Sequence, residues 1–406
     1  MNITLIHYAA QPIVGGVETV VTRQAQLLAR AGHRVQILAG RGEIWDAAIP
    51  VNIIPIIDSR FPQVLSAKAH LDKGNIPEGF SDLVYKIQGE LLRFIEGEDV
   101  IILHNVASLH KNLALTAALY NIHLEASSTK CILWHHDLAW TSSRYESELH
   151  EGWPWDLLKT PWPDVKQVTV SKARRTELSD LLKIEPKEIT VVSAGLDLQD
   201  FYSLNNRTIA LFESMDVFLS NLIILIPVRI TRRKNLELAI KTMAELKEIY
   251  PDGSLIITGP PGAHNPYNVK YLEELIALRK KLRLVDNVHI LAETVPQGLP
   301  DICVGDIYRI ADALLLPSRE EGFGIPILEA GLAGIPIFCT DLPPLKSLAG
   351  KWATYFSIDE DPKAIAKIMC ERLKTDPTYR LKVEVRQKYT WTAVYQQQIA
   401  PLLEAG

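Results

Sequence analysis

The chain has 406 residues, 47% hydrophobic and 22% charged, with 43 basic against 48 acidic side chains and a formal net charge of −5. This is the composition of a soluble globular protein and excludes disordered, collagen-like and low-complexity classes; the length exceeds what one hydrophobic core usually serves, so two domains are expected. The mild acidity argues against a broad nucleic-acid or anionic-membrane surface, and four cysteines without a C-x-x-C pair (Cys131, Cys303, Cys339, Cys370) indicate neither a disulfide framework nor a zinc ribbon and fit a reducing cytoplasm.

The opening MNITLIHYAA lacks a basic n-region and reads as a first strand over 2–7 rather than an export signal. No run approaches the roughly 18 consecutive apolar residues of a membrane span. Gly15 and Gly16 mark a turn, after which Val20, Val21, Ala25, Leu27 and Leu28 recur at helical spacing over 17–31, and Gly32 ends the helix. Strands are expected at 34–39, 51–57, 100–104, 131–135, 167–171 and 189–192, alternating with helical patterns as βαβ units do. The rhythm breaks between 201 and 221. A second series opens with a strand at 222–228 and a helix over 235–249, followed by strands at 254–258, 288–291, 313–316 and 336–339. The expected fold class is α/β, with two Rossmann-like doubly wound domains, each offering a ligand site beyond the carboxyl ends of its strands. Facing each other, they would line a cleft.

Three constellations carry chemistry. The first, PSREEGFGIPILEA, follows the strand at 313–316 and opens a helix near Gly324 or Ile325, with Pro326 where a first-turn proline is tolerated. The N–H groups of Phe323, Gly324 and Ile325 then lie free at the positive helix end, which favours phosphate. Gly322 and Gly324 permit close backbone approach. Glu321 before the loop and Glu329 one turn into the helix can face one ligand and accept hydrogen bonds from vicinal hydroxyls. Either glutamate alone reads equally as a solvated surface residue; the set with glycines and proline does not.

The second is VRITRRKN, at the carboxyl end of the strand at 222–228. Arg229 supplies a guanidinium fork and Lys234 a point charge for a diphosphate, while Arg232 and Arg233 read as solvated. The third is QPIVGGVE: paired glycines before a helix admit phosphate or a hydroxylated substrate, or form an ordinary tight turn. It is neither G-x-G-x-x-G nor G-x-x-x-x-G-K-[ST], so dinucleotide and P-loop readings lose support. His104, His135 and His136 end strands, and alternation sends His135 and His136 to opposite faces. Trp134, Trp140, Trp153, Trp155 and Trp162 cluster, and core or lid packing is expected for most.

PSREEGFGIPILEAGLAGIPIF resembles the E-x7-E segment of retaining GT-B glycosyltransferases of the glycosyltransferase family 4 type, and the similarity extends over nearly the whole chain. GGVE falls in the first loop, HHD at a central strand end, VSKARRTEL in a later helix, VRITRRKN at the family's R-x4-K element and TGPPG after the next strand. The resemblance implies a nucleotide diphosphate sugar donor of the GDP-mannose or UDP-glucose type. Arg229 and Lys234 would hold its diphosphate. Glu321 would bind sugar hydroxyls with the backbone of Gly322, Phe323 and Gly324, and Ile325 would contribute at the same helix end. Glu329 would bind ribose, His136 would sit beside the transferred sugar, and Gly15 and Gly16 would approach phosphate and acceptor. It also implies an acceptor-side domain over 1–205, a donor-binding domain over 206–387 and a C-terminal helix over 388–406 crossing back to the first. Ser193-Ala194-Gly195-Leu196-Asp197 departs from the family's P-N-G-V-D, removing an asparagine contact.

The expected activity is hexose transfer to a hydroxyl acceptor with retention of anomeric configuration, retention coming from the resemblance alone. Arg229, Lys234 and the helix end near Gly324 would stabilise the leaving nucleoside diphosphate, each cation contributing about 2–4 kcal/mol. Because those cationic side chains can do what a metal does elsewhere, neither a metal nor another cofactor is expected. The segment 59–74 carries few positive charges, so a small soluble acceptor is expected rather than a lipid. A nucleotide-sugar epimerase or glycan phosphorylase of the same architecture, and a non-catalytic two-lobed sugar-binding protein, are the competing readings.

Overall fold

A computed structural model describes residues 1–125, 129–263 and 265–404, so positions 405–406 of the expected C-terminal helix lie outside the described residues. The chain divides into two compact units, one formed by Met1–Gly195 with Trp391–Gly406 and the other by Leu196–Thr390.

The first unit holds seven parallel strands: β1 (Asn2–His7), β2 (Arg34–Ala39), β3 (Val51–Ile53), β4 (Val100–His104), β5 (Lys130–His135), β6 (Lys166–Thr169) and β7 (Ile189–Val191). Their order is β3-β2-β1-β4-β5-β6-β7. Successive strand residues point to opposite faces, and here both faces are buried. Ile6, Leu38, Ile101, Leu103 and Leu133 enter one apolar core, while Ile3, Leu5, Ile37, Ile102, Ile132 and Trp134 enter another. Helices cover both sides, as a parallel sheet requires. The expected strand over 51–57 is shorter, because Pro55 cannot donate to the ladder and instead opens a 3-10 turn over Pro55–Ile57. Trp391, Val394, Ile399, Leu402 and Leu403 complete the core beneath Ile3 and Leu5. Lys130 Nζ ties that C-terminal segment down by donating to the carbonyls of Leu402 and Leu403 at 3.0 and 3.2 Å.

The second unit repeats the plan with β8 (Ile223–Ile226), β9 (Ser254–Ile257), β10 (Val288–Ile290), β11 (Ala313–Leu316), β12 (Ile337–Thr340) and β13 (Ala353–Phe356), ordered β10-β9-β8-β11-β12-β13. Residues 196–205, expected with the first domain, belong to this unit. Leu204 is buried in its core, and Asp306 accepts from the Asn205 N–H and the Thr208 hydroxyl at 2.9 and 2.7 Å. Where the sequence rhythm breaks, the chain forms two short helices, Leu198–Tyr202 and Asn206–Glu213, capped by Asp197 and Asn205. Positions 388–390 also fall in this unit, so the segment that rejoins the first begins at Trp391.

The last long helix of the second unit, Pro377–Lys388, is fastened to the sheet by a buried ion pair. Arg386 Nη2 lies 2.6 Å from Asp312 Oδ2, its Nε donates to the Ser220 carbonyl at 2.6 Å, and Asp312 Oδ2 also accepts from the Ile223 N–H at 2.8 Å. Both side chains are almost wholly shielded from water. Removing one partner strands a buried charge. Asp312→Ala is therefore expected to lower unfolding free energy by about 3–5 kcal/mol in denaturant titration, and Asp312→Ala/Arg386→Met to recover part of that loss.

Candidate active site

In the second unit, strand order reverses between β8 and β11, which pair through Ile224↔Ala313 and Leu225↔Leu314. Open parallel sheets bind ligands beyond the carboxyl ends of such a pair. The loop after β8 becomes a 3-10 turn over Arg232–Lys234, and Asn235 in the left-handed region (φ 52°) starts the helix Leu236–Lys247. This turn buries Lys234 and aims it at the loop after β11. Lys234 Nζ lies 2.5 Å from Glu321 Oε1, an oxygen that also accepts from Ser318 Oγ at 2.7 Å. The two charged side chains are only 10% and 7% exposed, so each satisfies the other's desolvated charge. Arg233 approaches the other carboxylate oxygen at 3.8 Å. Arg229, expected beside Lys234 on the diphosphate, is exposed and has no partner among the described residues.

Gly324 caps the helix Ile325–Ala333 with φ 104°. That left-handed geometry favours glycine, and a Cβ would meet Leu345 Cδ2 at 2.7 Å. Phe323 and Ile325 are exposed around it, at 56% and 60%. Among the described residues, no backbone acceptor takes the N–H of Phe323, Gly324 or Ile325. Glu329, inside this helix, does not join Glu321. Its Oε2 instead accepts from the hydroxyl of Tyr308 at 2.7 Å.

The first unit reverses strand order between β1 and β4, where Ile6 pairs with Leu103. His7 ends β1 and His104 ends β4, with His136 just past β5. His7 Nδ1 donates to the His104 carbonyl at 2.8 Å, and its Nε2 faces Glu18 Oε1 at 3.8 Å. His104 Nδ1 and His136 Nε2 are 3.0 Å apart. The other ring nitrogen of His104 is buried without a partner, and an orphaned N–H is the rarer outcome, which places the proton on Nδ1 as donor to His136. Burial, then the neighbouring His7 and His135, pulls the His136 pKa down to about 3. Asn105, in the left-handed region at φ 59°, accepts from the His136 and Asp137 N–H groups at 2.7 and 3.1 Å, fixing the strand-end turn. Gly15 lies under the Glu18 carboxylate, where a Cβ would come 2.1 Å from Oε2, whereas Gly16 is open.

The structure thus brings Lys234 with Glu321, and His136 with His104 and His7; it leaves Arg229 apart, gives Glu329 a separate partner and leaves Gly322 on the exposed loop. Arg233 is exposed, as its solvated reading expects, with a long approach to Glu321. His135 turns away from His136, its Nε2 paired with Gln167 Oε1 at 2.7 Å. Sequence reasoning missed Ser318, Asn105 and Tyr308; only the placement of Asn105 and Ser318 just beyond strand ends could have flagged them. Trp134, Trp155 and Trp162 are core residues. Among the described residues, one trio with metal-ligand atoms within 4.8 Å of one another is Asp72, His110 and Glu148. Lys68 Nζ already supplies positive charge there, 2.6 Å from Asp72 and 2.8 Å from Glu148.

Two outcomes follow from these environments. Lys234→Ala leaves Glu321 buried without its main counter-charge and is expected to lower stability by about 3 kcal/mol, whereas the exposed Arg229→Ala stays within about 0.5 kcal/mol of the parent; paired thermal or denaturant melts check both. Burial pushes the His135 pKa down from 6.5 to about 4. The unfolded chain therefore takes up a proton that the fold refuses, and this contribution to stability, full above pH 6.5, is lost progressively as pH falls toward 4. His135→Gln should lose about 1–2 kcal/mol less than the parent between pH 7 and pH 5 in urea titrations.

Two families match the chain in succession: "Glycosyltransferase Family 4" over residues 14–200 and "Glycosyl transferases group 1" over residues 211–388. Mannosylglucosylglycerate synthase of Petrotoga mobilis is 24% identical over 374 residues, covering 85% of this chain and 84% of that protein. D-inositol 3-phosphate glycosyltransferase of Corynebacterium glutamicum is 26% identical over 231 residues, 53% of this chain and 52% of the relative. Among solved structures, Anabaena HepE in complex with UDP aligns over 100% of both chains at 16% identity with a TM-score of 0.37. With one match on each sheet, and a relative similar along most of its length, the chain belongs to the group 1, family 4 glycosyltransferases.

Proposed function

We propose that the protein transfers a hexose from a nucleoside diphosphate sugar, of the GDP-mannose or UDP-glucose type, to a small hydroxyl acceptor with retention of configuration. The observation that carries this reading is the buried Lys234–Glu321 pair at the β8/β11 reversal, beside a helix end with unclaimed N–H groups. As the bond between sugar and diphosphate breaks, negative charge grows on the phosphates and positive character on the sugar. Lys234, the exposed Arg229 and the N–H groups at Phe323, Gly324 and Ile325 meet the first, and preorganised donors of this kind are usually the largest catalytic contribution. Glu321, its Oε1 held by Lys234 and Ser318, accepts from sugar hydroxyls, and Glu329 accepts from ribose. Because cationic side chains stabilise the leaving group, the reaction needs no metal.

Acceptor-side chemistry is assigned to His136 and the loop at Gly15 and Gly16. His136 is kept neutral by burial, so its ring offers an N–H to a hydroxyl and does not become a competing cation. No side chain is assigned as a covalent nucleophile; the departing phosphate oxygen takes the acceptor's proton as the new glycosidic bond forms on the same face. A small acceptor is supported by two relatives named for mannosylglucosylglycerate and D-inositol 3-phosphate. Among the described residues, no helix is long and apolar enough to cross a membrane.

Incubation with GDP-, UDP- and ADP-sugars should release nucleoside diphosphate only when a hydroxyl acceptor is present, and NMR of the product should show the donor's anomeric configuration. Isomerised donor without acceptor would instead identify an epimerase. Arg229→Ala/Lys234→Ala should lose at least about 100-fold in kcat/KM; undiminished turnover would refute the assignment.

A further inference from the structure

Glu329 lies on the helix Ile325–Ala333, half-buried, and its two carboxylate oxygens have different surroundings. Oε2 accepts from the phenol of Tyr308 at 2.7 Å; Oε1 has no partner among the described residues. Tyr308 comes from the preceding helix, Asp301–Ile310, and is 5% exposed, with its hydroxyl also 3.4 Å from the Pro326 carbonyl. Burial, reinforced by the adjacent Glu329 carboxylate, raises the phenol's pKa far above its ordinary value. The phenol therefore remains a donor.

We propose that Tyr308 is a positioning residue for nucleotide recognition: its hydroxyl clamps one oxygen of Glu329 so that the other is presented, already oriented, to a ribose diol. This rests on the ribose role proposed above for Glu329. A free glutamate on a helix surface has many rotamers, and ordering it when ligand arrives weakens binding. Here the ordering is done in advance by a rigid aromatic side chain packed against the neighbouring helix. A vicinal diol donates to a carboxylate in one plane, so the clamp favours ribonucleotides over nucleotides that lack a ribose hydroxyl. Base and diphosphate contacts lie outside its reach.

The full-length chain is tested with whichever of GDP, UDP or ADP binds it most tightly, together with the 2′-deoxy and 3′-deoxy forms of that nucleotide, by calorimetry. The parent should prefer the ribonucleotide, and Glu329→Ala should erase the preference. Tyr308→Phe, which keeps the ring, should reduce the preference several-fold and raise donor KM about tenfold, the scale of one charge-assisted hydrogen bond, with a much smaller change in kcat. Tyr308→Phe/Glu329→Ala should behave as Glu329→Ala alone, since the clamp has nothing left to hold. A merely structural tyrosine would weaken ribo and deoxy ligands equally. Full ribose discrimination in Tyr308→Phe, with discrimination lost in Glu329→Ala, overturns the proposal while leaving the role of Glu329 intact. Full discrimination in Glu329→Ala overturns that role and the proposal with it. Should Tyr308→Phe melt early, its titrations are run at a temperature where circular dichroism shows it folded and are read against the same outcomes.

Discussion

The reversal of strand order, between β1 and β4 in one sheet and between β8 and β11 in the other, is the constraint on which the candidate site depends. Both sheets are parallel, and apolar side chains cover both faces of the first, with a continuous core around the second. Polar chemistry has no room along such strands and is displaced to their carboxyl ends. At the reversal, adjacent strands send their following helices to opposite sides, and the loops part. His7 and His104 stand at one such opening, and the turns carrying Lys234 and Glu321 at the other.

Within the second opening, charge is arranged as a self-neutralised pair. Lys234 and Glu321 are too buried to tolerate isolation, and each is the other's main compensation. In the proposed transfer, a donor diphosphate would compete with Glu321 for the ammonium, and sugar hydroxyls with Lys234 for the carboxylate. Ser318 Oγ also donates to Glu321 Oε1, a second hold on that carboxylate. Arg229 differs: it is exposed and has no partner among the described residues.

Much of the architecture was legible because its signals are local. Apolar runs marked the core of most strands, and Pro326 with the flanking glycines located the helix start to within one residue. Pro55 was also visible, yet its power to end β3 was underestimated. The strand β13, ATYF, escaped because three of its four residues are only half-buried and its apolar pattern is weak. Tyr308 was illegible for another reason: YRIAD reads as ordinary helix packing, and the partner of its hydroxyl lies 21 positions away on a different element. Arg233 is solvated as expected, and only its long approach to Glu321 depends on the 3-10 turn. Gly15 was legible as a tight place, but the group occupying it, the carboxylate of Glu18, appears only when the first turn of the helix is built.

The return of Trp391–Gly406 to the first unit orders events on the ribosome. Synthesis proceeds from the N-terminus, so β1 to β7 emerge early, yet the core beneath Ile3 and Leu5 lacks Trp391, Val394, Ile399, Leu402 and Leu403 until the second unit has been synthesised. While the second unit is made, that apolar face of the first sheet lacks its C-terminal cover. The half of the molecule that begins first can therefore complete its core only after the other has been synthesised.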